Sequence, residues 1–118
     1  MEKILQALHH IKTQSHLGEA RLHEDVAVAL RQAGIPFVRE AGLGAGARID
    51  FLCGSIGIEV KQKRPQPSAL KAQLMRYAMS DQITALIVVA GRGVRLPQKL
   101  GGKPVHVVCL DRQWGVAL

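Results

Sequence analysis

The sequence predicts an α/β domain in which a mixed central sheet is flanked by helices. Amphipathic spacing predicts helices near the amino terminus and in the middle of the chain, and five short apolar runs predict strands. The elements are ordered helix, helix, three strands, helix, strand, strand. A meander followed by a helical crossover implies a mixed sheet with helices on both faces. At 118 residues, the chain is expected to form a single domain over residues 1–118.

Two helices are expected before the first strand. The first, "MEKILQALHHIKTQ", repeats apolar residues at intervals of four and three. The second is expected from about Gly18 to Ala33, where Gly34 ends it. Its apolar stripe consists of Leu22, Val26, Ala29, Leu30 and Ala33. Glu19 and His23 flank this stripe one turn apart, whereas Glu24 points nearly opposite.

The remaining elements are predicted from apolar runs and the residues that interrupt them. "IPFVRE", "ARIDFLC" and "SIGIEVKQK" are strands. The glycine-rich "AGLGAG" connects the first two, and the tight turn "CGS" makes the second and third an antiparallel hairpin. "SALKAQLMRYAMS" is a helix with Ser68 as its N-cap. "TALIVVA" is a strand buried on both faces, and a basic loop, "GRGVRLPQKLGGK", leads to the last core strand, "PVHVVCL".

Strand alternation places three polar side chains together. In "ARIDFLC" it puts Ile49 and Phe51 on one face and Asp50 on the other. In "SIGIEVKQK" it puts the apolar residues on one face and Glu59 and Lys61 on the other. If the two apolar faces coincide, the carboxylates and the ammonium group emerge on adjacent strands. The alternative is an ordinary solvated hairpin face with a Glu–Lys pair.

Such a patch has a chemical use. Two carboxylates can bind Mg²⁺ or Mn²⁺, which keeps most of its waters and accepts a phosphate oxygen. The backbone carbonyl of Val60 would point sideways toward the same cation. Lys61 could orient a metal-bound water, assist its deprotonation or stabilise charge in the transition state. Asp50, Glu59 and Val60 are therefore the candidate metal ligands, and Lys61 is a candidate catalytic residue.

The charge distribution predicts a polyanionic partner. The formal net charge is +7, and between Val60 and Leu110 nine basic residues face one acid, Asp81. Nucleic acid is the commonest intracellular polyanion, although a basic composition can also serve solubility alone. Aromatic residues are few, which favours contact with phosphates over base stacking. The predicted phosphate contacts are Lys63, Arg64, Lys71, Arg76, Arg92 and Arg95.

Other features narrow the class of protein. No apolar run approaches the roughly 20 residues that span a bilayer, and the first residues lack the apolar core of a signal peptide. We therefore expect a cytoplasmic protein without a membrane partner. Cys53 and Cys109 lie in apolar stretches outside any CxxC pair, so they are interpreted as buried thiols. The histidines show no metal-ligand spacing such as HExxH.

The run "RIDFLCGSIGIEVKQK" resembles the PD-(D/E)xK nuclease superfamily, whose motif is an Asp followed, on the next strand, by (D/E)xK. The predicted element order is similar to the αβββαβ core of that superfamily, the restriction-endonuclease-like fold. The resemblance implies that Asp50 and Glu59 are metal ligands and that Lys61 is the catalytic lysine. Ile49 stands where the motif's name has proline.

The resemblance implies further site residues. Many members add a glutamate from the first core helix, and the helical wheel favours Glu19 over Glu24 as that ligand. A helix-terminal glutamate that offsets the macrodipole is the alternative. "QLMRY" matches the QxxxY element of related branches, which implies that Gln73 and Tyr77 position DNA or the site lysine. An exposed glutamine and a packed tyrosine are the alternative.

These inferences together predict a Mg²⁺-dependent DNA nuclease in which Mn²⁺ can substitute. The small size and the motif are most similar to Holliday-junction resolvases and virus-type replication-repair (VRR-NUC) nuclease domains. That similarity implies a structure-selective endonuclease for branched or junction DNA, acting as a homodimer. The alternatives are a catalytically inactive nucleic-acid-binding module with the same fold and a nuclease directed at RNA.

Overall fold

The fold is built on one mixed sheet, which a computed structural model describes within residues 1–11, 18–63 and 66–110. The elements are α1 (Glu2–His9), α2 (Glu19–Gln32), β1 (Val38–Gly44), β2 (Ala47–Cys53), β3 (Ile56–Lys61), α3 (Pro67–Ala78), β4 (Ala85–Ala90), β5 (Lys99–Leu100) and β6 (Lys103–Cys109). The strand order is β1-β2-β3-β4-β6-β5. The first three strands are antiparallel, β4 is parallel to both β3 and β6, and β5 is antiparallel to β6. The predicted α/β class with a mixed sheet between helices is confirmed.

The central strand β4 separates two apolar cores. All six of its residues are buried, as the continuous apolar run predicted. Ile87 and Val89 pack with α1 and α2, whereas Leu86, Val88 and Ala90 pack with α3. The sheet therefore has an α2 side and an α3 side. The core in which a side chain packs identifies the face of the sheet on which it lies.

The end of α2 follows from one glycine. Gly34 has a φ of 71°, a left-handed conformation that glycine adopts without steric cost. Its N–H donates to the carbonyl of Arg31, and the N–H of Ile35 donates to the carbonyl of Leu30. These bonds satisfy carbonyls that a helix end would otherwise leave without partners. The predicted end of this helix at Gly34 is confirmed.

The segment "AGLGAG" is mostly strand, contrary to the predicted connection. β1 continues to Gly44, which pairs with Ala47, and only Ala45 and Gly46 form the turn. Both turn residues have positive φ, 51° and 77°. Two such residues make a hairpin turn whose twist matches that of the flanking strands. Glycine weakens a strand, which favours a loop on sequence grounds, but pairing with β2 outweighs that preference.

The start of α3 and the basic loop also differ from the prediction. Gln66, not Ser68, is the N-cap, since its side chain accepts a hydrogen bond from the N–H of Ala69 at 2.7 Å. Pro67 occupies the first helical position, where its fixed φ and missing N–H favour helix initiation. Within the predicted loop, β5 forms a short hairpin with β6. Among the described helices, none is long and apolar enough to cross a membrane.

Candidate metal and nucleic-acid site

The β2–β3 hairpin opens where the candidate carboxylates lie. Its backbone ladder extends to the Phe51–Ile58 pair, beyond which side chains replace strand-to-strand bonds. Oδ2 of Asp50 accepts a hydrogen bond from the N–H of Val60 at 2.8 Å. Oε1 of Glu59 accepts one from the N–H of Asp50 at 3.4 Å. Each carboxylate thus reaches across to the other strand, and both lie in what we call the β2–β3 gap.

Glu59 is buried with incomplete charge compensation. It is 3% exposed, and its Oε2 lies 3.4 Å from Nζ of Lys61. Burial raises the pKa of Glu59 to about 7, and the neighbouring Asp50 charge also acts to raise it, while Lys61 opposes both effects. Lys61 therefore compensates the charge only in part. A bound cation would supply the remaining compensation.

The donor set suits a hard divalent cation. No group of three or more His, Cys, Asp or Glu side chains is arranged to hold a metal ion among the described residues. Mg²⁺, however, is usually bound through one or two carboxylates, with waters and substrate phosphates completing the shell. Asp50 and Glu59 fit that pattern. The proposed ligation by the Val60 carbonyl stays a prediction.

Glu19 reaches the site indirectly. Its Oε1 accepts a hydrogen bond from the N–H of Gln62 at 3.2 Å, which ties α2 to the end of β3. Its Oε2 lies 3.8 Å from Nε2 of His23, and that nitrogen lies 3.7 Å from Oδ2 of Asp50. His23 therefore stands between the two carboxylates. Ligation of a metal by Glu19 stays a prediction.

Glu24 is occupied elsewhere. Its Oε2 lies 2.9 Å from Nη1 of Arg39 on β1. The hydrogen bond and charge of Arg39 lower the pKa of Glu24. Of the two helix glutamates, Glu19 is thus the one beside the β2–β3 gap, on the side of α2 that the helical wheel indicated.

His23 is a site residue that the sequence analysis missed. Sequence spacing indicates a metal-binding histidine only when two ligands occur at a typical interval. His23 approaches Asp50 instead because α2 packs on the sheet. Its position one turn after Glu19 was the available signal.

Tyr77 contributes from the α3 side. It is 3% exposed, and its hydroxyl donates to the carbonyl of Arg48 at 3.0 Å. Burial raises the pKa of Tyr77, and so does the nearby Glu59 charge, while a hydrogen bond with the half-buried Gln73 opposes the shift. The ring of Tyr77 is buried because it lies in the apolar stripe of α3, and its predicted contact with nucleic acid stays a prediction. The predicted positioning role for Gln73 and Tyr77 is untested.

The basic residues lie outside the cores. Gly91 donates its N–H to the carbonyl of Lys61 at 2.8 Å, so the loop after β4 starts against the end of β3. Lys61 and Ala90 pair in parallel at the ends of β3 and β4, so the segments that follow these two strands leave the sheet at the same end. The exposed predicted phosphate contacts are Lys63, Lys71, Arg76, Arg92 and Arg95. The remaining one, Arg64, lies outside the described residues.

Ile49 and Phe51 do not share a face, contrary to strict alternation. Phe51 packs in the α2-side core and Ile49 in the α3-side core. β1 changes face at the same level. The guanidinium of Arg39 lies 5.4 Å from the centroid of the Phe51 ring, whereas Ala41 belongs to the α3-side core. We call this position, between Arg39 and Ala41 on β1 and around Asp50 on β2, the face switch.

No match to this chain was found among protein-family models, curated proteins or solved structures. The candidate function therefore rests on the geometry of the β2–β3 gap and on the charge around it.

Proposed function

We propose that this chain is a metal-dependent nuclease that hydrolyses DNA phosphodiester bonds. The supporting observation is the β2–β3 gap, which holds two carboxylates and an ammonium group. A solvated Glu–Lys pair would leave its glutamate in water, whereas Glu59 is 3% exposed. Burying a carboxylate beside a second one is unfavourable unless a cation compensates it. Sites arranged in this way are frequently functional.

The side chains have distinct roles in this proposal. Asp50 and Glu59 hold the cation, which is Mg²⁺ with Mn²⁺ as a substitute. When bound, the ion neutralises phosphate charge and acidifies a water. Lys61 is 26% exposed at the side chain, so its Nζ can reach solvent and donate to a phosphate oxygen or orient the attacking water. The side chain of Asp50 is 22% exposed, so it too can reach solvent.

The proposed substrate is branched or junction DNA, and the proposed compartment is the cytoplasm. The exposed basic residues can contact phosphates, and phosphate contacts read the shape of a nucleic acid rather than its sequence. Cutting both strands of a junction needs two sites, so a homodimer is part of the proposal.

Cleavage of a labelled four-way junction in Mg²⁺ tests this function. Wild type, Asp50→Asn and Lys61→Ala are compared, with Lys3→Ala on α1 as the control. Losing a charge-stabilising or proton-transferring group costs on the order of 10²–10³-fold in rate. We expect losses of that size in both site variants, with junction binding by fluorescence anisotropy retained, and no loss in the control.

Three outcomes would change the proposal. An unchanged rate in Lys61→Ala would remove that residue's catalytic role. Junction binding by wild type without cleavage in either Mg²⁺ or Mn²⁺ would favour the inactive binding module. Cleavage of RNA but not of matched DNA would identify an RNA-directed nuclease.

A further inference from the structure

The backbone of β1 is strained beside the site. Glu40 has a φ of 49°, and Ala45 is the other non-glycine residue with positive φ in the described chain. Ala45 lies in the β1–β2 turn, which requires this conformation. Glu40 lies inside a strand, where a left-handed residue is uncommon and costs on the order of 1–3 kcal/mol. Such a conformation persists only where its surroundings hold it.

Two hydrogen bonds hold this conformation from neighbouring elements. Nη1 of Arg48 donates to the carbonyl of Glu40 at 2.9 Å. The carbonyl of Arg48 in turn accepts a hydrogen bond from the hydroxyl of Tyr77 on α3 at 3.0 Å. The carboxylate of Glu40 takes no part in these bonds, and the residue is exposed. The backbone of Glu40, rather than its side chain, is therefore what the network fixes.

The strained residue lies at the face switch. Regular alternation from Leu52, which packs on the α3-side core, would direct the Asp50 side chain toward α3. Instead, Oδ2 of Asp50 lies 2.8 Å from the N–H of Val60 and 3.7 Å from Nε2 of His23 on α2. The change of face thus turns the Asp50 carboxylate away from α3 and into the β2–β3 gap.

We propose that the left-handed backbone of Glu40, held by Arg48, positions the Asp50 carboxylate in the β2–β3 gap. Glu40 and Arg48 are positioning residues, since neither touches the reacting atoms. The effect on cleavage rests on the proposed function. The effect on the Asp50–Val60 hydrogen bond does not, and it can be measured in the metal-free protein.

Glu40→Gly and Glu40→Val separate backbone from side chain. Glycine adopts positive φ freely, whereas a β-branched residue strongly disfavours it. Amide hydrogen exchange at Val60 reports the Asp50–Val60 bond, with Ile58 as the internal reference and Asp50→Ala marking loss of the bond. We expect Val60 exchange to stay within about twofold of wild type in Glu40→Gly and to rise about tenfold or more in Glu40→Val. Cleavage should follow the same order, with DNA affinity unchanged.

A second pair of variants separates loss of the Asp50–Val60 hydrogen bond from a general loss of stability. Arg48→Gln should raise Val60 exchange as Glu40→Val does, while keeping the residue at position 40. Ala45→Val introduces comparable strain at the turn, so it should lower the melting temperature without raising Val60 exchange relative to Ile58.

Equal loss in Glu40→Gly and Glu40→Val would overturn the proposal, because the carboxylate would then be the active part. Unchanged Val60 exchange in both Glu40→Val and Arg48→Gln would overturn it as well. If the exchange results are as expected but wild type cleaves no nucleic acid, the positioning stands and the proposed function fails.

Discussion

A buried glutamate carries more information than an exposed one. Glu59 lies at an alternating position of a short strand, where a solvent-facing carboxylate would need no explanation. Its 3% exposure and the neighbouring Asp50 charge make its charged form costly, and the Asp50 N–H and the Lys61 ammonium group offset that cost only in part. A carboxylate that stays buried despite this free-energy cost is consistent with the cation-binding role that we propose.

The raised pKa of Glu59, about 7 against an ordinary 4.5, predicts a pH-dependent stability. Between these values the folded protein keeps a proton that the unfolded chain has released, so this group's contribution to stability falls as pH rises. Glu59→Gln removes the titration. Without divalent cations, the melting temperature of wild type relative to Glu59→Gln should fall from pH 4.5 to 7 and level off above.

Glu24→Gln is the matched control for this experiment. Arg39 lowers the pKa of Glu24, so its contribution to stability should be lost as pH falls, the opposite direction. If the difference in melting temperature between wild type and Glu59→Gln stays constant from pH 4.5 to 7, the assigned environment of Glu59 is contradicted.

Residue-level prediction succeeded for β3 and failed on β2 for the shared face of Ile49 and Phe51, the neighbours of Asp50. The alternation of Glu59 against Ile58 and Val60 is as predicted, because β3 is paired on both sides and stays regular. Asp50 lies at the face switch, which depends on the backbone of Glu40 and on a hydrogen bond from Arg48. Neither is visible in a period-two pattern, since glutamate is not a residue type that signals positive φ.

At the scale of elements, β3 depends on a glycine that packs closely. A Cβ on Gly57 would lie 2.5 Å from Cδ1 of Ile49 and 2.9 Å from Cδ1 of Ile83. Overpacking of this kind costs about 1–3 kcal/mol. Gly57→Ala should therefore lower the free energy of unfolding by that amount in urea denaturation.

Gly42→Ala on the edge strand β1 is the control, since a Cβ there meets nothing within 4 Å. It should change stability by no more than a few tenths of a kcal/mol. Equal losses in the two substitutions would contradict the packing explanation, because the entropic effect of Gly→Ala on the unfolded chain is stabilising.

The end of β3 depends on a second glycine. A Cβ on Gly91 would collide with the backbone carbonyl of Gln62, which cannot move aside as a side chain can. The Gln62 N–H is bound to Glu19, and Gly91 itself binds the Lys61 carbonyl, so displacement of this backbone moves Lys61. Gly91→Ala should lower the cleavage rate more than the DNA affinity.

Gly93→Ala provides the comparison for Gly91→Ala in single-turnover cleavage and anisotropy assays. A Cβ at residue 93 would lie 3.9 Å from Sγ of Cys109, an ordinary contact. A Gly91→Ala protein with the wild-type rate would show that this contact does not fix Lys61.

Elements were predictable where one local signal decides. The apolar run of β4, the Gly34 end of α2 and the stripe of α3 follow directly from the sequence, since each rests on periodicity or on a single residue's conformational preference. The extent of β1 does not, because its glycines are held in the strand by pairing with β2. The N-cap of α3 was predicted at Ser68 rather than at Gln66 because glutamine seldom caps helices.

At the scale of the molecule, the net charge of +7 predicts salt-dependent binding to nucleic acid. Removal of one cation that neutralises a phosphate should reduce the slope of log K against log salt by about 0.9 for duplex DNA. Lys63→Glu combined with Arg92→Glu should weaken duplex binding and reduce this slope by about 2. Lys3→Glu on α1 is the control for the change of charge, and an equal effect per substituted residue would argue for a nonspecific field rather than a defined interface.

The free edge of β1 also limits how copies of this chain can associate. β1 is an edge strand, and its outer hydrogen-bonding groups are interrupted by the left-handed Glu40 and by a register shift between Gly42 and Gly44. A straight strand from another molecule would find these donors and acceptors out of line, as in edges that resist aggregation. Continuous sheet extension through β1 is thereby disfavoured, and the proposed homodimer is expected to use a surface other than the β1 edge.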